Sequence, residues 1–221
     1  HFIGLLSDGN VHSNIGHLIE LIKGAKNDGV KRVRVHVLLD GRDVPATSAL
    51  TYVDMLESAM ADLNDGGFDS KIASGGGRMT ITMDRYFANW DMVKNGFYTH
   101  VYGEGKGYAS ATEAIESARA ENPGMIDQDL PAFVVVDNGA PVGAMKDGDS
   151  VILFNFRGDR AIELSMAFDN DEFDGFDRGN IPKVLYAGML QYDGDLGLPK
   201  RFLVEPPKIK HTLSEFCVGH G

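Results

Sequence analysis

Short apolar runs alternate with stretches of helical periodicity along most of the chain. Strands are predicted at the apolar runs 2–6, 33–39, 71–74, 133–136, 151–156 and 183–190. Helices are predicted after these runs, at 15–29, 46–63, 84–95 and 109–120, with another beginning near Asp159. Strands that alternate with helices indicate an α/β fold, a three-layer α/β/α arrangement around a mainly parallel sheet.

The middle of the chain departs from this alternation. Turn-forming residues at 138–141 and 145–150 separate the run at 133–136 from the run at 151–156. This spacing predicts a hairpin-like unit, which would add antiparallel strands and make the sheet mixed. No linker or repeat interrupts the sequence, so residues 1–221 are predicted to form a single domain.

Composition restricts the classes of partner. The 221 residues include 21 Lys and Arg against 32 Asp and Glu, which gives a formal net charge of -11. Such an acidic chain argues against binding to nucleic acid or to an anionic membrane, and no segment is apolar over the length of a bilayer. The single cysteine, Cys217, cannot form an internal disulfide, so a cytoplasmic location is expected.

Cations nevertheless collect where the predicted strands end. In chain order these positions carry His12, then Arg42 and Asp43, then Arg78 and Arg85, and finally Arg157 and Arg160. In open α/β sheets the loops after the strands converge on the ligand. Because arginine donates paired hydrogen bonds to carboxylates and phosphates, the pattern predicts a site for a small ligand with two anionic ends.

Other interpretations of these residues stay open. Any single arginine could form a local ion pair with Asp43, Asp84 or Asp159, worth little to stability, but we reject this interpretation for all five arginines at matching strand ends. A histidine at position 12 is suited to bind a phosphate, to act as an acid or base, or to serve only as a loop donor. The carboxylate at position 43 could accept a ligand hydroxyl or orient the neighbouring arginine.

Weaker motifs do not change this interpretation. The glycines at 75–77 are not followed by the Lys and Ser/Thr of a P-loop, and the acidic segment 169–175 lacks ligand positions of a calcium loop. The serines have no nearby basic partner that would activate a nucleophile, and the histidines lack zinc-type spacing. We therefore predict no catalytic and no metal-binding residue in this chain.

Four motifs resemble the substrate-domain motifs of cofactor-independent phosphoglycerate mutases. They are, in order, residues 5–13 (LLSDGNVHS), 39–45 (LDGRDVP), 77–85 (GRMTITMDR) and 154–160 (FNFRGDR), with YGEG at 102–105 in addition. The resemblance extends over essentially the whole chain. By this resemblance, His12, Arg42, Asp43, Arg78, Arg85, Arg157 and Arg160 hold the substrate.

The family implies a two-domain enzyme that interconverts 3-phosphoglycerate and 2-phosphoglycerate in glycolysis and gluconeogenesis. A phosphatase-like domain carries its serine nucleophile and two divalent metals, manganese or magnesium, and those motifs have no counterpart in this sequence. The chain begins within an apparent strand and ends soon after a helix starts near Leu213, so we expect it to be a fragment that is inactive alone. We expect a monomer whose partners are the two phosphoglycerates and the phosphatase-like domain.

Two other functions remain open at this stage. A noncatalytic binding module for phosphorylated metabolites or dicarboxylates would need the same cluster of cations. A metal-dependent hydrolase that uses Asp8 and His12 would need further ligands, which the sequence does not supply.

Overall fold

The protein is described by a computed structural model over residues 1–205, 209–210 and 212–220. The strands are β1 (Phe2–Leu6), β2 (Arg32–Leu39), β3 (Asp69–Gly77), β4 (Lys106–Tyr108), β5 (Phe133–Asp137), β6 (Ala140–Pro141), β7 (Ser150–Leu153) and β8 (Leu185–Gly188). The α-helices are α1 (Ile15–Asn27), α2 (Ala49–Leu63), α3 (Trp90–Val101), α4 (Ala111–Glu121), α5 (Ile162–Asp169) and α6 (Leu213–His220). A short 3₁₀ helix covers Asp127–Asp129.

The strands form one mixed sheet in the order β4-β5-β3-β2-β1-β7-β8, with β6 paired to β5. Most neighbours are parallel, whereas β5 runs antiparallel to β3 and to β6. Helices α1, α2 and α4 pack on one face, where Phe2 and Leu6 point, and α3 and α5 pack on the other, where Ile3 points. The predicted three-layer α/β/α class with a mainly parallel sheet is therefore confirmed.

The order of the strands reverses at β1, which lies between β2 and β7. In open α/β sheets such a reversal leaves a crevice beyond the carboxyl ends of the two strands, and ligands bind there. Gly4 in β1 leaves room for the ring of Phe154, the residue after β7, because a Cβ on Gly4 would lie 2.7 Å from that ring. The amide of Asn155 also joins them, since its Oδ1 accepts the Leu5 N–H at 2.9 Å.

Three expectations about local structure were wrong. The run at 151–156 does not form a hairpin with 133–136, because β7 lies parallel to β1 and β8, and β5 turns back only through the two residues of β6. The helix expected at 84–95 is instead α3, since Tyr86 and Phe87 have left-handed backbones (φ 65° and 57°) that a helix excludes. The helix expected near Asp159 begins at Ile162, after a turn.

The N-terminal cap of α3 explains why this helix begins at Trp90 and not at position 84. The Asn89 side chain accepts the Met92 N–H at 3.1 Å and so caps the helix at Trp90. The preceding residues, 78–89, form a long loop on the carboxyl side of β3, called here the β3–α3 loop. This loop carries both Arg78 and Arg85.

Candidate functional site

Arg78 lies at the centre of the loops that follow β1, β2 and β3. Its side chain is 2% exposed, and Nη1 donates to Asp40 Oδ1 at 2.8 Å and to Asp43 Oδ2 at 2.5 Å. Nη2 donates to His12 Nε2 at 2.8 Å. One guanidinium group thus holds three loops together, which its fixed fork of donors allows and a lysine would not.

Asp40 is the buried partner in this arrangement. Oδ1 also accepts the Asp43 N–H at 3.1 Å, and Oδ2 accepts the Ser7 hydroxyl at 2.6 Å. Burial alone would raise the pKa of Asp40, but the hydrogen bonds from Ser7, Asp43 and Arg78 outweigh it and lower that pKa. Asp40 is therefore ionised and fixes the conformation of the β2 loop.

His12 is held neutral. Burial first, and the adjacent Arg78 second, lower the pKa of His12 to about 4. Because an arginine only donates, Nε2 must accept, so the ring proton is on Nδ1, which faces Asp159 Oδ1 at 3.7 Å. The His12 carbonyl accepts the Phe156 N–H at 2.7 Å and ties the β1 loop to the loop after β7.

The loop after β7 adds a more exposed ion cluster. Arg157 contacts Asp159 through Nε at 2.9 Å and through Nη2 at 3.0 Å. Arg85, from the β3–α3 loop, lies 3.9 Å from Asp159 Oδ2. The Arg157 and Arg85 side chains remain 48% and 41% exposed, so most of their donors are open to solvent or to a ligand.

Arg160 and Arg42 complete the cationic group. Arg160 is partly buried, and its Nη1 donates to the Met83 carbonyl at 2.5 Å. Burial, and then the charges of Arg85, Arg78 and Arg42, lower the pKa of Arg160. Across the described residues, the exposed Arg42 side chain makes no hydrogen bond or ion pair.

The structure thus brings the seven predicted residues to one edge of the sheet, although not in equivalent environments. Arg78 is buried and committed to internal partners, and Arg157 is paired with Asp159, as the local ion-pair interpretation expected. Arg42, Arg85 and Arg160 retain free donors, and so does Arg157 at the nitrogen that Asp159 does not contact. That these residues bind a ligand remains a prediction.

Sequence reasoning did not single out Asp40, Ser7 or Glu163 as parts of the site. Asp40 is the first polar residue after a strand with seven buried residues, and that position was the available signal. Glu163 gave no signal, because it accepts the Phe87 N–H only where α5 packs against the β3–α3 loop.

The glycines at 75–77 do not form a phosphate cradle. A Cβ on Gly75 would lie 2.6 Å from the Val37 carbonyl oxygen, and one on Gly77 would lie 2.2 Å from the Gln128 carbonyl oxygen. These residues are glycines because neighbouring backbones approach β3 closely.

Metal chemistry finds no support in the residues that the structure describes. They contain no group of three or more His, Cys, Asp or Glu placed to hold a metal ion. Asp8 accepts the Tyr52 hydroxyl at 2.5 Å, and His12 Nε2 is occupied by Arg78, so these two residues do not begin a metal site.

None of the helices in the described part of the chain combines the length and the apolar composition that a membrane span requires.

The fold and the site together define the class of protein: a doubly wound α/β domain with a cluster of arginines at the reversal point of its sheet. The family model described as "BPG-independent PGAM N-terminus" matches residues 1–194. The chain belongs to this family, the 2,3-bisphosphoglycerate-independent phosphoglycerate mutases, as its four motifs predicted.

Individual relatives agree with this assignment. The chain is 60% identical over 219 residues to a probable 2,3-bisphosphoglycerate-independent phosphoglycerate mutase of Leptospira interrogans and 52% identical over 222 residues to the mutase of Trypanosoma brucei. It covers 40% of each relative, and 99% and 100% of this chain is aligned. A crystal structure of Leishmania mexicana phosphoglycerate mutase at low cobalt concentration superposes with a TM-score of 0.94 at 50% identity, over 99% of this chain and 40% of that one.

Proposed function

We propose that the protein from which this chain derives interconverts 3-phosphoglycerate and 2-phosphoglycerate. In this proposal the chain holds the substrate while its phosphoryl group passes to a serine of a phosphatase-like domain and returns to the other hydroxyl. The supporting observation is the group of five arginines with His12 and Asp43 at the reversal point of the sheet. An acidic chain that gathers cations at one crevice is suited to a ligand with a phosphate and a carboxylate.

The arginines divide into two roles. Arg78 positions the loops, because its donors are already used by Asp40, Asp43 and His12. The free donors of Arg42, Arg85, Arg157 and Arg160 are available to the two anionic ends of the substrate. His12, with its proton on Nδ1, donates one further hydrogen bond.

Asp43 is suited to the substrate hydroxyl. One of its oxygens accepts from Arg78, and its side chain stays 14% exposed at the rim of the site. A carboxylate that keeps a free lone pair can accept the glycerate hydroxyl and so distinguish a phosphoglycerate from a simple phosphate.

The serine and the two divalent metals, manganese or magnesium, belong in this proposal to a phosphatase-like domain beyond this chain. The residues described here do not fit a metal. The proposal also includes a monomeric, cytoplasmic enzyme with the two phosphoglycerates as its small-molecule partners.

Phosphorus NMR tests the division of labour. Metal-supplemented chain of 221 residues is incubated with 3-phosphoglycerate beside the full-length protein, and 2-phosphoglycerate is followed. We expect turnover by the full-length protein only, because phosphoryl transfer needs a nucleophile and charge stabilisation that these arginines do not supply. Conversion by the isolated chain above a contamination control would contradict the proposal.

Calorimetric titration of the same chain tests binding. We expect Arg42→Ala to weaken 3-phosphoglycerate binding at least tenfold, whereas Arg32→Ala, at the opposite end of β2, controls for the loss of one exposed charge. Binding of glycerate alone should be weaker, since it lacks one anionic end. Equal affinities of the two variants for 3-phosphoglycerate would show that the site does not lie at this edge of the sheet. Tight binding without turnover by the full-length protein would favour a noncatalytic module.

A further inference from the structure

A buried chain of hydrogen bonds crosses the sheet outside the arginine group and ends in the β3–α3 loop. We call it the histidine chain; its members, in order, are Asp149, His1, His36, Ser74, His100 and Thr82. The four members from His36 to Thr82 are at most 1% exposed. A buried polar series of this length is costly unless every donor and acceptor is matched.

The contacts are continuous from one end to the other. The His1 ring lies 3.2 Å from Asp149 and 2.9 Å from His36, whose other nitrogen lies 2.7 Å from Ser74 Oγ. Ser74 Oγ is 2.8 Å from His100 Nδ1, and His100 Nε2 is 3.1 Å from Thr82 Oγ1. The chain therefore connects the amino-terminal edge of the sheet to the loop between Arg78 and Arg85.

Asp149 and a neutral His1 together determine the direction of every bond. A carboxylate only accepts, so His1 donates from Nε2, and a neutral His1 must then accept at Nδ1 from His36 Nε2. His36 accepts at Nδ1 from the Ser74 hydroxyl, which in turn accepts from His100 Nδ1. His100 Nε2 is left as an acceptor, and the Thr82 hydroxyl donates to it.

The hydrogen bond with His100 restrains Thr82 in a strained backbone conformation. It is a β-branched residue with φ of 65°, a conformation that is strained for this side-chain class. Its backbone N–H donates to the Met92 carbonyl at 3.0 Å, and its hydroxyl has His100 as partner. Space for the side chain exists because residue 96 of α3 is glycine, where a Cβ would lie 2.0 Å from Thr82 Oγ1.

We propose that Thr82 and His100 are positioning residues for the substrate, and that the histidine chain holds the β3–α3 loop in the shape that presents Arg85 and Arg160 to the anionic ligand. Arg160 is included because its guanidinium donates to the carbonyl of Met83, the residue after Thr82. In this proposal both residues act through the loop and not by contact with the ligand, because Thr82 and His100 are 1% and 0% exposed. This inference rests on the proposed binding of phosphoglycerate.

The tautomers of the buried histidines test the chain without any ligand. In uniformly ¹⁵N-labelled chain at pH 8, long-range ¹H–¹⁵N spectra should show His36 protonated at Nε2 and His100 protonated at Nδ1. A charged His1 would donate from both nitrogens and reverse each bond, so opposite tautomers at pH 8 would overturn the assignment. Averaged tautomers at either ring would also overturn it, since a fixed series permits only one form.

The hydroxyl of Thr82 tests the link to the site. Thr82→Val keeps the β-branched shape but removes the donor, and Thr82→Ser keeps the donor. We expect Thr82→Val to raise the Kd for 3-phosphoglycerate at least tenfold and to let His100 exchange between its two tautomers. The Kd of Thr82→Ser should stay within about threefold of the Kd of the parent chain.

The titrations and the tautomer spectra can fail independently, so failure of the positioning role is distinguishable from failure of the proposed function. Equal Kd values for the two variants would exclude the positioning role. Absence of 3-phosphoglycerate binding by the unmodified chain would defeat the proposed function and the positioning role with it, while the tautomer spectra would still decide whether the histidine chain exists as assigned. If Thr82→Val does not fold, His100→Gln and His100→Phe provide a second pair with and without a polar group at this position, read by the same titration.

Discussion

Residues of the candidate site that carry the same charge differ in how deeply they are buried. Arg78 and Arg42 both lie in loops that follow neighbouring strands, yet the Arg78 side chain is 2% exposed and Arg42 lies open to solvent. The first balances the buried carboxylate of Asp40, and the second has no such task. Stability and ligand binding should therefore respond differently at the two positions.

Replacing each arginine by methionine tests this difference. Arg78→Met should lower the free energy of unfolding by about 3 to 5 kcal/mol, because it leaves Asp40 buried without its cation. Arg42→Met should change it by less than about 0.5 kcal/mol. Urea denaturation at pH 7 measures both, and similar losses in the two variants would show that Arg78 does not hold the loops.

Glu163 is a second residue whose chemistry depends on its surroundings. It lies on α5, is 3% exposed, and accepts the Phe87 N–H at 2.9 Å through Oε1. Burial first, and then the neighbouring Asp84, raise the pKa of Glu163 to about 7, against the opposing effects of the Phe87 N–H and Arg160. The carboxyl group is therefore protonated in mildly acidic solution, where it restrains the β3–α3 loop without adding negative charge.

Glu163→Gln should become relatively more stable as pH rises. In the native protein the folded state holds a proton between pH 4.5 and about 7 that the unfolded state has lost, so stability falls with rising pH in that window. The amide does not titrate, and its advantage should grow by about 2 to 3 kcal/mol between pH 4.5 and 8. Urea denaturation of both proteins across this range measures the difference, and a constant difference would contradict the raised pKa.

At the scale of elements, the β3–α3 loop depends on the helix that follows it. Gly96 allows Thr82 to pack against α3, while Gly24 in α1 has no atom within 4 Å of the place of a Cβ. Both glycines lie inside helices, so propensity alone would favour alanine at both positions. Packing distinguishes them.

Gly24→Ala should therefore stabilise the protein by about 0.5 to 1 kcal/mol. Gly96→Ala should destabilise it by about 1 to 3 kcal/mol, because its methyl group displaces Thr82 from His100. Thermal unfolding of the two variants provides the comparison. Stabilisation by Gly96→Ala would mean that the loop moves aside at little cost.

Sequence periodicity predicted β1, β2, β3, β5, β7 and β8 and the edge where the cations meet, because buried strands form apolar runs and the loops of parallel strands share one side. It missed the short strands β4 and β6. It failed for the β3–α3 loop, where it extended the predicted helix over Tyr86 and Phe87, whose left-handed backbones exclude a helix. It could not predict that Arg78 points inward, since the same motif permits an exposed side chain. That orientation depends on Asp40 and His12, which are distant in sequence.

On the scale of the whole molecule, the fold buries several imidazoles in neutral form. Burial lowers the pKa of His100 to about 3, and burial followed by Arg78 lowers that of His12 to about 4. Burial, and then the neighbouring His100, also lower the pKa of His36. Each ring stays neutral in the folded protein under conditions in which the unfolded chain protonates it.

This difference should make the folded protein sensitive to acid. Below pH 6.5 the unfolded state gains protons that the folded state rejects, so each buried histidine reduces stability as pH falls toward its lowered pKa. Removing one of them, in His100→Asn, should reduce the slope of unfolding free energy against pH by about 1.4 kcal/mol per unit between pH 6 and 4. Titration of Glu163 is common to both proteins and cancels in the difference. Urea denaturation at pH 6, 5 and 4 measures the slopes, with the exposed His17→Asn as the control for loss of an imidazole. Parallel slopes for His100→Asn and the native sequence would show that His100 accepts a proton in the folded state as readily as in the unfolded one.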